Sequence, residues 1–284
     1  MTRSPDEYIV ARRTLLDALD VLSEHTEAMV LVGAQAVYQR TGDVPGTGIP
    51  MTTDSDLAID ADLLADAPEM SGLLTDAGFS AASQPGHWIS SHGIGLDLMG
   101  VPHQVPRARR SAGFTGHDRS VARVTPGLEP SLVDCSHMTL GSLEDTDPRT
   151  ARIKVAGPAA LLTAKVTKLR ERHADHLRRP DRPSRLKQKD VLDCYRLLVA
   201  IPTEELVEGF ARHNRSAEAR QVSRHAVDFL VRQSRPGEHA LLTDLLSEAL
   251  PGDLTAPAAF GALVADLEAA LTSSERPGPG PSGS

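Results

Sequence analysis

Residues 31–60 read LVGAQAVYQRTGDVPGTGIPMTTDSDLAID. The stretch begins in an apolar run, AMVLVG (28–33), which reads as a short strand closed by Gly33. AQAVYQRTG follows with helical character and has Gly42 at its end. DVPGTGIPM is punctuated by glycine and proline and reads as a loop. DSDLAID then alternates. Asp54, Asp56, Ala58 and Asp60 share one face of a strand, and Ser55, Leu57 and Ile59 share the other. Two aspartates at i and i+2 point the same way with Cα atoms about 7 Å apart. Like charges repel at that distance, so the arrangement is costly unless a cation lies between them.

A third acid sits in a comparable setting. In IGLDLMGV (94–101), Asp97 shares a face with Gly95 and Met99. If this strand lies beside the first, three carboxylates converge. Mg²⁺ takes hard oxygen ligands, one or two from carboxylates and the rest from water and substrate phosphates. Three converging carboxylates suit a two-metal site for in-line phosphoryl transfer.

Outward from this centre, SPDEYIVARRTLLDALDVLSEH reads as an opening helix with Ser4 as cap and Pro5 in its first turn. Residues 61–79 read as a helix interrupted near Pro68, GHWISS (86–91) reads as a strand, and 103–148 mix short strands and loops. From about residue 155 nearly everything is helical: 157–175, 187–200, 203–213, 216–234, 236–249 and 256–272. The layout is α+β, a small mixed sheet backed by helices followed by a helical bundle. The boundaries fall at 1–155 and 156–273, and 274–284 form a tail of disordered composition.

The chain has 284 residues and a net charge of −8, which argues against a protein coated in nucleic acid but not against local basic patches. Ten Lys or Arg stand against three acids in 165–189. Lys165, Lys168 and Arg172 fall on one helical face. RRPDRPSRLKQK reads as an exposed loop able to meet RNA phosphates. Arg107, Arg109, Arg110, Arg119 and Arg123 form a second cluster. Asp190 and Asp193 lie at i and i+3, and Asp190 either opens a helix or holds Lys165. Aromatic residues are 3% of the chain, so base stacking is not suggested.

Two cysteines, Cys135 and Cys194, are too few for a disulfide scaffold. With His87, His92, His103 and His137, Cys135 matches no compact zinc spacing. No apolar run is long enough to span a membrane, and the N-terminus lacks the apolar centre of a signal peptide. The expectation is a cytoplasmic protein.

Gly33, the short helix after it and TTDSDLAID together resemble the nucleotidyltransferase superfamily of polymerase-β-like fold. The resemblance implies Asp54, Asp56 and Asp97 as catalytic, metal-binding carboxylates for two Mg²⁺ ions, with an NTP as substrate. AGPAALLTAKVTKLRER with KQKDVLDCYRLL is further similar to AbiEii-like (MenT-like) toxin nucleotidyltransferases. That implies phosphate contacts at the Gly33–Ala34 turn and at Lys165 and Lys168, and support from Asp190. The implied activity is transfer of NMP to an acceptor hydroxyl, on RNA such as tRNA or on a protein, with an antitoxin as a further partner. Alternatives are a small-molecule (antibiotic) nucleotidyltransferase and an inactive nucleotide-binding module of the same fold. Ala34 stands where the family usually carries Gly or Ser.

Overall fold

The computed structural model describes residues 5–48, 51–105, 111–235 and 240–274. The expected cap Ser4, the arginines 107, 109 and 110, and the tail 275–284 lie outside the described residues.

The chain is α+β, a mixed sheet followed by a helical region. The opening helix α1 (Pro5–Val21) leads through a short 3₁₀ turn to β1 (Met29–Val32), α2 (Gly33–Thr41) and β2 (Asp54–Ile59). After α3 (Met70–Asp76) come β3 (Ser80–Ala81), β4 (His87–Ile89), β5 (Gly95–Gly100), β6 (Ser111–Ala112) and β7 (Ala122–Val124). The short α4 (Glu129–Val133) precedes a hairpin of β8 (Cys135–Gly141) and β9 (Thr150–Ala156). Among the described residues six helices follow: α5 (Pro158–Arg178), α6 (Gln188–Ala200), α7 (Thr203–His213), α8 (Ala217–Ser234), α9 (Leu241–Ala249) and α10 (Ala256–Ser274).

The main sheet runs β3-β4-β5-β2-β1-β9-β8, with β7 beside β5 and β6 beside β7. β2 and β5 are parallel, as are β1 and β9, whereas β1–β2, β4–β5 and β8–β9 are antiparallel. β1 and β5 are buried throughout, consistent with inner strands covered on both faces. The alternation in β2 sends Ser55, Leu57 and Ile59 towards α1. Ser55 Oγ donates to the Ala11 carbonyl at 3.0 Å, and Leu57 and Ile59 are fully buried. One contiguous apolar core runs from Leu31, Leu57 and Leu98 in the sheet to Leu161, Val166, Leu197 and Phe260 in the helices.

Two expectations change. Residues 61–69 are turns and irregular chain, and only Met70–Asp76 is helical in the stretch expected as an interrupted helix. Glu69 starts that helix late, its carboxylate accepting from the Ser71 and Gly72 amides, while Gln104 donates to Asp60 and Asp62 and ties down the preceding turn. The hairpin β8–β9 resolves what read as a mixture of strand and loop. TARIKVA buries Ile153 and Val155 completely, and Ala151 packs against the same core. This period-2 pattern was present in the sequence, and β9 then pairs with β1 in the sheet interior.

Candidate functional site

Gly33 takes φ +71° at the junction of β1 and α2. L-residues pay for that conformation and glycine does not. Its backbone also lies directly against Asp56: an added Cβ would stand 2.0 Å from Oδ2 and 2.7 Å from Cγ. The turn is therefore moulded to the aspartate. Helix α2 begins without a side-chain cap, and its positive end lies beside the same carboxylate. Ala34 is buried in its first turn.

A buried polar chain fixes this corner. Gln35 donates to Ser55 Oγ at 2.8 Å and to the carbonyls of Ala11 and Asp54. Arg12 donates to the Gln35 side-chain oxygen at 2.9 Å and to the Gly141 carbonyl. Helices α1 and α2 and strands β2 and β8 are thus locked to one another. The α2–β2 loop is held from α6. Buried Arg196 donates to the carbonyls of Gly42, Thr47 and Gly48 and lies 5.2 Å from the Tyr38 ring centroid.

Register brings the acids together. Asp56 pairs with Asp97 across the parallel β2–β5 ladder, and neighbouring strands lie about 5 Å apart with paired side chains on the same face. Asp56 keeps some solvent exposure but is packed round by protein. Burial, then the charges of Asp54 and Asp97, push its pKa up to about 7. Asp54 behaves oppositely. Burial would raise its pKa, but the Thr52 hydroxyl, at 2.5 Å from Oδ1, and the charges of Lys189, Lys165 and Lys168 bring it below the usual value.

Those lysines come from the helical region. Lys165 on α5 is buried, with Nζ 2.5 Å from Asp193 Oδ2 and 3.7 Å from Asp190 Oδ1. Burial opposes its charge, but the two aspartates outweigh burial and raise its pKa. Asp190 also meets Lys168 Nζ at 3.3 Å and Arg172 Nη1 at 2.6 Å. Lys168 is paired with Asp190 yet keeps about half of its side chain in solvent, 48%. Asp193 is the nearer partner of Lys165, a role the sequence left to Asp190.

Asp97, the third expected carboxylate, has two side-chain partners of its own. Arg123 grips both of its oxygens, at 2.5 and 3.1 Å, and His87 Nδ1 lies 2.8 Å from Oδ1. Arg123, one of the second arginine cluster, is therefore committed to this pair. His87, considered in the sequence only as a zinc ligand, sits opposite Asp97 in the β4–β5 ladder. Among the described residues no group of three or more His, Cys, Asp or Glu side chains is gathered as a metal centre. Asp54 and Asp56 remain as hard oxygen donors on one strand face, and the charge of Asp54 raises the pKa of Asp56 despite the nearby lysines. This suits Mg²⁺, which needs only one or two carboxylates and completes its shell with water and phosphate oxygens.

No family model matches the chain, and comparison with curated proteins finds no match. Among solved structures, the chain is similar to an antigenic nucleotidyltransferase-like protein from Paracoccidioides brasiliensis, at 20% identity and a TM-score of 0.39, over 78% of this chain and 94% of that one. Among the described residues no helix is long and apolar enough to cross a membrane.

Proposed function

We propose that the protein is a Mg²⁺-dependent nucleotidyltransferase that moves NMP from an NTP to an acceptor hydroxyl. The observation that carries this reading is the Gly33 backbone pressed on Asp56, with Asp54 on the same strand face and lysine charge directed at both. Asp54 and Asp56 would hold the metal. When bound, Mg²⁺ would neutralise the two carboxylates and the triphosphate together. The amide end of α2, from Gly33 and Ala34, faces where a phosphate would lie. Lys168 reaches it from α5, and Lys165, fixed by Asp190 and Asp193, adds positive potential from beneath. Asp97 completes the acceptor side.

In the transfer, the acceptor oxygen bonds to the α-phosphorus, the bond to pyrophosphate breaks, and pyrophosphate leaves with the bonding electrons. Fixed cations in a partly dry site favour the charge that develops on it. For the acceptor we favour RNA, such as a tRNA end. The α5–α6 connection exposes Arg182, Arg185 and Lys187 and leads to Lys189, whose charge reaches Asp54. Phosphate contacts of this kind position a polyanion without reading its sequence. A cationic antibiotic acceptor would meet repulsion there. The resemblance of AGPAALLTAKVTKLRER and KQKDVLDCYRLL to AbiEii-like toxins carries the further reading of a toxin with an antitoxin partner.

The test is incubation with each labelled NTP, Mg²⁺ and total RNA, followed by separation of labelled RNA from labelled protein. Label should enter RNA, and Asp56→Asn should reduce the rate about a hundredfold or more with an unchanged circular dichroism spectrum. An undiminished rate in that variant would remove the mechanism. Ala34, in place of Gly or Ser, favours a second reading as a nucleotide-binding module without turnover. Calorimetric NTP binding with no pyrophosphate release would select it.

A further inference from the structure

The His87 imidazole has one edge committed and one edge free. Nδ1 lies 2.8 Å from Asp97 Oδ1, and among the described residues Nε2 has no partner. The side chain is one-third exposed. The ring leans over Gly95, where a Cβ would stand 3.0 Å from His87 Cε1 and 3.8 Å from Asp54 Cβ. Glycine at 95, itself buried, therefore lets the imidazole pack close to the Asp54 strand. Strand register sets His87, Asp97 and Asp56 in one row across β4, β5 and β2, so the ring shares the sheet face of the carboxylates.

The placement is rigid. Gly86, just before His87, donates from its amide to the Ser120 carbonyl and accepts from the Leu98 amide, both at 2.8 Å. A Cβ at Gly86 would collide with backbone at 2.4 Å. Arg123 holds both oxygens of Asp97, so the carboxylate can only accept from the ring. That bond places the proton of a neutral imidazole on Nδ1 and leaves the lone pair on Nε2.

We propose that His87 is a further catalytic residue, whose Nε2 receives the hydrogen bond of the acceptor hydroxyl on an oligoribonucleotide, with Asp97 and Arg123 as its positioning pair. The inference rests on the nucleotidyl-transfer reading. The hydroxyl proton passes to Nε2 as the oxygen bonds to the α-phosphorus and pyrophosphate leaves. Gly33, Asp54, Asp56 and Lys168 keep the phosphate and metal roles and are not asked to touch the acceptor.

The experiment compares the full chain with His87→Asn, His87→Gln and His87→Ala. Asparagine reproduces the Nδ1 position and can keep the bond to Asp97, whereas glutamine reproduces the Nε2 position. With tRNA as acceptor, His87→Asn and His87→Ala should lower kcat/KM for RNA about a hundredfold, with glutamine recovering part of the loss. NTP affinity by calorimetry and the melting temperature should stay unchanged. Asparagine activity within about threefold of wild type, or a parallel loss of NTP affinity, overturns the assignment. A second readout needs no turnover: acylation of His87 by diethyl pyrocarbonate, followed by peptide mass spectrometry. Protection by tRNA but not by NTP with Mg²⁺ supports the contact even if no label is transferred, in which case the transfer reading alone fails. Equal acylation with and without tRNA overturns the contact.

Discussion

Gly33→Ala is the sharpest perturbation of the carboxylate corner, because two independent costs meet at one atom. An alanine held at φ +71° costs about 1–2 kcal/mol by crowding of Cβ against its own backbone. The new methyl would also lie 2.0 Å from Asp56 Oδ2, 2.7 Å from Cγ and 2.8 Å from Cβ. No rotation of α2 alone relieves the contact, since Gln35 ties the helix to Ser55 and Ala11. Forcing extra volume into a packed site costs about 1–3 kcal/mol. The sum is a loss of about 2–5 kcal/mol, read as a lower midpoint of urea unfolding at constant slope. Repeating the substitution in an Asp56→Ala background removes Oδ2 and Cγ and leaves only the Cβ contact. The cost of Gly33→Ala should then fall by about 1 kcal/mol or more. A cost below about 0.5 kcal/mol, or the same cost in both backgrounds, would refute the claim that the turn is moulded to the aspartate.

Further tests follow from the electrostatics. Folding raises the Asp56 pKa from 3.8 to about 7, so the folded state binds that proton more tightly than the unfolded chain. In chelator, stability should therefore fall as pH rises through this window. Asp56→Asn should be the more stable protein at about pH 8 and lose that advantage by about pH 4; Mg²⁺ should stabilise wild type at the higher pH and not the variant. Asp193→Ala leaves Lys165 buried with only Asp190 at 3.7 Å, and should cost about 3–5 kcal/mol. A Lys165→Met/Asp193→Leu pair should cost less, since neither charge is then stranded. Arg196→Met should free the carbonyls of Gly42, Thr47 and Gly48 and cost about 2–4 kcal/mol. Hydrogen exchange in residues 42–48 should quicken before that of β2.

The sequence by itself determined those features that depend on local period. Alternation in DSDLAID put Asp54 and Asp56 on one face, and it put Ser55, Leu57 and Ile59 on the α1 side. Apolar spacing marked the helices after residue 157, and Gly33 marked the turn. The same alternation in TARIKVA, less apolar and ending where the helices begin, passed unrecognised as β9. What only the tertiary structure decided depends on pairing between distant segments. Strand register set Asp97 beside Asp56 and His87 beside Asp97. The neighbouring β7 delivered Arg123 to Asp97, so a residue that the sequence grouped only as part of a basic cluster became a clamp on a carboxylate. Asp193 and Asp190 are three apart on one helix, and spacing alone cannot say which meets Lys165. The packing of α5 against α6 chose the nearer one. A charged residue's type is written in the chain, but its partner is fixed by which other element desolvates it, and that is a property of the whole fold.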